Sequence, residues 1–152
     1  MRDAAVIRRA RPEDIGAIDA LEAASFSADR FARRNLKRML EGGRTQFWLA
    51  QRGNDALGYL ALSFRTGAHV ARLYSLAIAP AARGQGLGSE LIAAAISAAR
   101  ARKCHVVRLE VRESNAAARA LYERCGFTLR GRRESYYGDG EAACLYEIPT
   151  GL

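Results

Sequence analysis

Apolar and polar residues change period several times along this chain, and each change marks an element. Val6 and Ile7 beside Arg8 and Arg9 predict a short first strand. Pro12-Glu13-Asp14 then opens a helix, with proline at its first position and acids at the positive end of the dipole. Ile15, Ile18 and Leu21 supply that helix's apolar face. A second helix is expected over about Asp29–Glu41, stopped by Gly42-Gly43. Its Phe31, Leu36, Met39 and Leu40 turn to the core, and Arg30, Arg33, Arg34, Lys37 and Arg38 form a basic outer face.

From Thr45 the period shortens to that of strands. Thr45–Arg52 and Leu57–Phe64 form a hairpin across Gly53-Asn54-Asp55, and the turn at Thr66-Gly67 leads into a third strand, Val70–Ile78. A glycine-rich loop, Pro80–Gly88, precedes a helix from about Ser89 to Arg102, with Leu87, Leu91, Ile92, Ile96 and Ala99 on one side. His105–Val111 is a strand, Asn115–Cys125 a helix closed by Gly126, and Phe127–Arg130 and Ala143–Ile148 two final strands. The order β-α-α-β-β-β-α-β-α-β-β describes a mixed α/β domain with one β-α-β crossover at its centre.

Length and composition narrow the classes. The 152 residues suit one domain, 1–152, and 49% hydrophobic with 26% charged residues excludes disorder, collagen and coiled coil. No apolar run approaches the roughly 18 residues of a spanning helix. The first residues carry an acid and no apolar stretch, so a cytoplasmic protein is expected. Cys104, Cys125 and Cys144 are widely spaced, with no C-x-x-C; they read as three buried thiols, and no metal site is expected.

Charge adds a partner to the picture. The net charge is +8, and Lys37 and Lys103 are the only lysines among 24 bases. Residues 28–44 carry +4 and residues 100–133 carry +7, while the last 19 residues hold four acids and no base. Such a balance suits a polyanion: nucleic acid, an acidic peptide or a phosphate-rich cofactor.

The segment Arg83-Gly84-Gln85-Gly86-Leu87-Gly88-Ser89 carries candidate chemistry. Alternate glycines between a strand and a helix start can turn several amides toward one concavity, which suits phosphate oxygens. A Walker loop would need a lysine after its last glycine, and none follows. A dinucleotide fingerprint would need its third glycine where Ser89 stands; Glu110, some 20 residues on, would then be the ribose acid, but it lies in mid-strand. A purely structural turn is the remaining reading of these residues.

The same segment resembles the [QR]-x-x-G-x-[GA] pyrophosphate loop of the GNAT family of N-acetyltransferases. The resemblance extends along the chain in the order Ile7–Asp14, the glycine loop, Leu109–Ala118 and Leu121–Phe127. Arg132-Arg133-Glu134-Ser135-Tyr136-Tyr137 is similar to the R-x-x-Y-Y strand of RimI-type members, which acetylate ribosomal-protein alanine and other protein N-termini.

The resemblance implies the GNAT fold, a mostly antiparallel mixed sheet flanked by helices, with acetyl-CoA as co-substrate. It assigns the pyrophosphate to Arg83, Gly84, Gln85, Gly86, Leu87, Gly88 and Ser89, and the pantetheine arm to the strand end Leu76, Ala77 and Ile78. Asn115 would contact the cofactor, with simple helix capping as the other reading of that residue. Glu110 matches the family's general base, and Tyr122 the tyrosine facing the leaving thiolate. Read without the motif, Glu110 belongs to an ion-paired stripe with Arg108 and Arg112, and Tyr122 is a core aromatic.

The expected acceptor is a protein α-amine, with lysine second and an acidic partner in keeping with the charge. Two departures bear on it: Ser25-Phe26-Ser27-Ala28-Asp29 stands where RimI-type enzymes often have Pro-Trp, and Gly138-Asp139-Gly140 precedes Glu141-Ala142-Ala143 where Glu-Asp-Ala would be expected. The alternatives are a small-amine acetyltransferase or a non-catalytic basic module binding the ribosome or RNA. No aromatic-interleaved basic motif supports the latter.

Overall fold

The computed structural model describes residues 4–26 and 30–152. Seven strands form one sheet in the order β1-β2-β3-β4-β5-β7-β6. They are β1 (Val6–Arg9), β2 (Thr45–Arg52), β3 (Asp55–Phe64), β4 (Val70–Ile78), β5 (Val106–Arg112), β6 (Thr128–Arg133) and β7 (Ala143–Pro149). All neighbours are antiparallel except β4 and β5, which are joined through the crossover helix α3 (Leu87–Ala101). The remaining helices are α1 (Ile15–Ser25), α2 (Arg33–Glu41) and α4 (Ala116–Arg124). None of the described helices is long and apolar enough to cross a membrane.

The pleat sends alternate side chains to opposite faces and so builds two cores. In β3, Leu60, Leu62 and Phe64 join Leu91, Ile92, Ala95 and Ala99 of α3, with Val107, Leu109 and Val111 of β5. Tyr59 and Ala61, on the other face, meet Ile18 and Leu21 of α1 and Leu36 of α2. One face is thus covered by α3 and α4, the other by α1 and α2.

Several boundaries differ from the sequence reading. Pro12–Asp14 is a separate 3-10 turn, because the Asp14 carboxylate pairs with Arg8 at 2.9 Å and accepts the Arg11 amide at 2.7 Å, which holds the chain short of the helix. The second helix begins at Arg33, so Phe31 precedes it, outside the helix; the expected start, Asp29, lies outside the described residues, as do Ser27 and Ala28. Strand β6 ends at Arg133, and Ser135 adopts a positive φ of 50°, so Tyr136 and Tyr137 sit in a turn beyond the strand.

Candidate active site

The sheet divides at its one parallel seam. Pairing of β4 with β5 stops after Arg72↔Arg108, although β4 stays paired with β3 to Ile78 and β5 with β7 to Arg112. A bulge accompanies the parting: Ala61 lies opposite Ser75 and Leu62 opposite Leu73, which leaves Tyr74 as the extra residue. A cleft of about 650 Å³ opens in the split, between Leu73–Leu76 of β4 and Glu110–Arg112 of β5. Asn115, Ala118 and Tyr122 border it from the start and inner face of α4.

Four predicted site residues therefore meet at one cavity: Leu76, Glu110, Asn115 and Tyr122. The Glu110 side chain is 18% exposed and its Oε2 lies 3.0 Å from Arg72 Nη2. The same Arg72 nitrogen donates to the Tyr136 hydroxyl at 3.0 Å, and the guanidinium lies 4.6 Å above the Tyr74 ring. Burial works against the Arg72 charge, but Glu110, Tyr136 and Tyr74 together outweigh it and raise its pKa. A fixed cation thus orients the Glu110 carboxylate at the cleft.

The other members of the stripe have acids of their own, and Arg112 lines the cleft beside Glu110. Arg108 pairs with Glu147 at 3.0 Å, and Arg112 with Asp139 and Glu141 at 2.9 and 2.8 Å. Hydrogen bonds from Ser114 and Arg112 push the Glu141 carboxyl down to about 2. The stripe is ion-paired as read without the motif, and Glu110 takes its partner, Arg72, from across the parallel seam.

Tyr122 is a core aromatic and a cleft residue at once. It is 7% exposed and lies edge-on to Phe127 at 5.6 Å between ring centroids. Burial pushes its phenol well above the usual value, so the hydroxyl keeps its proton and acts as a donor. Among the described residues that hydroxyl has no hydrogen-bond partner. Asn115 caps α4, its Oδ1 accepting the Ala118 amide at 3.1 Å, while also bordering the cleft.

The glycine loop lies beside this cleft. Gly84 and Gly86 have φ of 79° and 78°, a left-handed conformation that a side chain would strain. Gly86 is the N-cap of α3, so the helix starts at Leu87 and not at Ser89 as read from the sequence. The first helical hydrogen bond is donated by Glu90 to Gly86 at 3.2 Å, leaving the Leu87, Gly88 and Ser89 amides ahead of the ladder. These amides, at the positive end of the helix, have the chemistry that phosphate oxygens need.

Contacts tie the loop to α4. A Cβ on Gly88 would lie 2.9 Å from Leu121 Cδ2, so glycine lets the two helices meet one residue from Tyr122. The Cys125 thiol donates to Ser89 Oγ at 3.6 Å; this thiol is only half-buried, unlike Cys104 and Cys144 and unlike the sequence reading, because it sits at the rim of that contact. Among the described residues, Arg83–Ser89 do not line the cleft itself, and neither do Ala77 and Ile78. Ala77 faces the α1 core and Ile78 the α3 core.

Arg72, Tyr74 and Glu22 of this cleft escaped the sequence reading, and Glu22 is the most deeply buried of them. Glu22 of α1 is 0% exposed, and its carboxylate accepts the Tyr59 hydroxyl, Ser75 Oγ at 3.1 Å and the Phe31 amide at 2.8 Å. Burial and this carboxylate together raise the Tyr59 pKa. The signal was present, since Glu22 stands on the same helical face as Ile18 and Leu21, where an apolar residue belongs. No cluster of metal ligands occurs among the described residues.

Comparisons agree with this geometry. A protein of Bacillus subtilis (strain 168), proposed as a ribosomal protein bS18-alanine N-acetyltransferase, is 30% identical over 146 residues that cover 95% of each chain. The N-alpha-acetyltransferase RimI of Mycobacterium tuberculosis is 37% identical over 90 residues, 58% of this chain and 55% of that one. The crystal structure of the ribosomal-protein-S18-alanine N-acetyltransferase from Escherichia coli superposes with a TM-score of 0.86 at 27% identity, covering 97% of this chain and 95% of the other. Residues 7–127 match the Acetyltransferase (GNAT) family, and with the parted sheet, the glycine-capped helix and these relatives, the chain belongs to that family of acetyltransferases.

Proposed function

We propose that this chain is a cytoplasmic, single-domain N-acetyltransferase that moves the acetyl group of acetyl-CoA to the α-amine of a protein, with lysine side chains as poorer acceptors. The observation that carries the reading is the meeting of Glu110 and Tyr122, from β5 and α4, at one cleft where the sheet parts. Relatives named for N-terminal acetylation support the choice of acceptor.

The amides of Gly84–Ser89 and the N-terminus of α3 hold the pyrophosphate, and the edge of β4 near Leu76–Ile78 receives the pantetheine arm. Asn115 contacts the cofactor from the start of α4. An attacking amine must be neutral: an α-amine near pKa 8 is about a tenth neutral at pH 7, a lysine near 10.4 only a few parts in 10,000. Glu110, steadied by Arg72, takes the proton directly or through water as the nitrogen bonds to the acetyl carbon. The carbon–sulfur bond then breaks, and Tyr122 donates a hydrogen bond to the departing thiolate.

The test is thiol release from acetyl-CoA against N-terminal peptides, lysine peptides and small amines, repeated with Glu110→Gln. The expected result is turnover with N-terminal peptides that falls at least roughly a hundredfold in the variant. Turnover with small amines alone would replace the acceptor assignment, and the absence of an acetyl-CoA-dependent thermal shift would remove the co-substrate.

A further inference from the structure

A second groove of about 880 Å³ adjoins the transfer cleft and shares Phe31, Arg72, Tyr74 and Glu110 with it. Arg38, Arg44, Arg65, Arg72, Arg108 and Arg130 line this groove, and among the described residues Glu110 is the only acid in its lining. The first three come from α2, the loop before β2 and the loop after β3, and the fold brings Arg65 to the neighbouring pair Arg38 and Arg44. Among the described residues no acid pairs with Arg38, Arg44 or Arg65, and all three are exposed. Arg108 and Arg130 share the single carboxylate of Glu147, at 3.0 and 4.0 Å. Helix α2 supplies Arg38, so part of the basic face read from the sequence overlooks a groove and does not merely meet solvent.

We propose that this groove binds an acidic stretch of the acceptor polypeptide, the residues that follow the amine to be acetylated. The inference rests on the function proposed above, and names the sequence class that this site selects. Concave walls of one sign concentrate the opposite charge, and arginine forks grip carboxylates in two-toothed fashion. Continuity with the Glu110 cleft calls for an occupant that carries a primary aliphatic amine, which every polypeptide with a free N-terminus has and an unmodified nucleic acid lacks. Phe31, Met39, Phe64 and Val70, also in the lining, give an extended chain apolar contacts between its charges. Tyr74, 43% exposed on its bulge, stands at the junction where the chain would pass from one cleft to the other.

The test uses three peptides with the same first residue, followed by acidic, neutral or basic residues, and compares the wild-type chain with Arg38→Glu/Arg44→Glu/Arg65→Glu. Each exposed arginine–carboxylate contact accounts for at most about fivefold, so the acidic peptide is expected to lead in kcat/KM by roughly tenfold or more at low salt. The lead shrinks as salt rises, and it vanishes in the charge-reversed variant while turnover of the neutral peptide stays within about twofold. Equal kcat/KM for the three peptides, or a preference that survives the reversal, overturns the proposal. Fluorescence anisotropy of the labelled acidic peptide reads the surface without turnover. Salt-sensitive binding lost in the variant upholds the groove even if no peptide is acetylated, in which case the acceptor assignment alone fails. A structured RNA that outcompetes the acidic peptide at equal charge overturns the peptide assignment in favour of nucleic acid.

Discussion

Replacing Tyr122 by phenylalanine isolates one hydroxyl. The ring stays, with its edge-on contact to Phe127 at 5.6 Å and its neighbour Tyr146 at 6.4 Å, so core volume is conserved. The hydroxyl has no protein partner among the described residues, and its loss should change stability by less than about 1 kcal/mol, or 2–4 °C in melting temperature for a chain of this size. Catalysis should respond differently. A hydrogen bond to a charged group contributes about 1.5–3 kcal/mol, which converts to roughly a 10- to 150-fold fall in kcat if the phenol faces the leaving thiolate. Because burial raises the phenol's pKa, donation of its proton outright is still more uphill than for a free tyrosine, and a surviving activity of this size is expected rather than none. Steady-state thiol release and thermal unfolding should be measured on the same preparation, with the acetyl-CoA KM held within about twofold. An unchanged kcat in a stable protein would remove Tyr122 from the transfer step, and a collapse of stability would show its role to be structural.

Three further outcomes follow from the geometry. Glu22→Ala leaves the Phe31 amide without its acceptor and one hydroxyl of the Tyr59–Ser75 pair short of one, and should cost about 3 kcal/mol, or roughly 6–12 °C in melting temperature; a shift under about 2 °C would contradict the network. Gly86→Ala places a Cβ at a φ of 78° and should cost about 1–2 kcal/mol while raising the acetyl-CoA KM more than it lowers kcat; a normal KM would separate the loop from the co-substrate. Glu141 has its carboxyl lowered to about 2 by Ser114 and Arg112, below the unfolded value near 4.3, so it stabilises the folded chain above about pH 4.3 and loses that effect as pH falls toward 2. Wild type should therefore exceed Glu141→Gln in urea resistance at pH 7, with the gap closing across that acid window; a gap constant with pH would refute the linkage.

Local pattern made much of this legible. Strand periodicity and turn residues ordered every element, and the alternate glycines marked the start of α3 to within two residues, because each is a property of neighbouring positions. Glu110 and Tyr122 could be named from their motifs. Their common cleft could not, since it depends on where β4 and β5 stop pairing and on the bulge at Tyr74. The pairing of Arg72 with Glu110, the Glu22–Tyr59–Ser75 network and the meeting of Arg65 with Arg38 and Arg44 all join residues distant in sequence, and register decides them. Glu22 alone left a trace, an acid on an apolar helix face.

The charge pattern also gains a location. A net charge of +8 first admitted nucleic acid, an acidic peptide or a phosphate-rich cofactor as partner. Under the proposed function the glycine loop meets the co-substrate through backbone amides, which need no side-chain charge. The arginines of the second groove remain, and they line a groove that reaches Glu110.

The most direct measurement is the position of the transferred group. A peptide with a free α-amine and one lysine, incubated with the protein and acetyl-CoA and fragmented in a mass spectrometer, should carry a single acetyl group on the α-amine. An acetyl group on the lysine alone, or an unmodified peptide beside an acetylated small amine, would contradict the account.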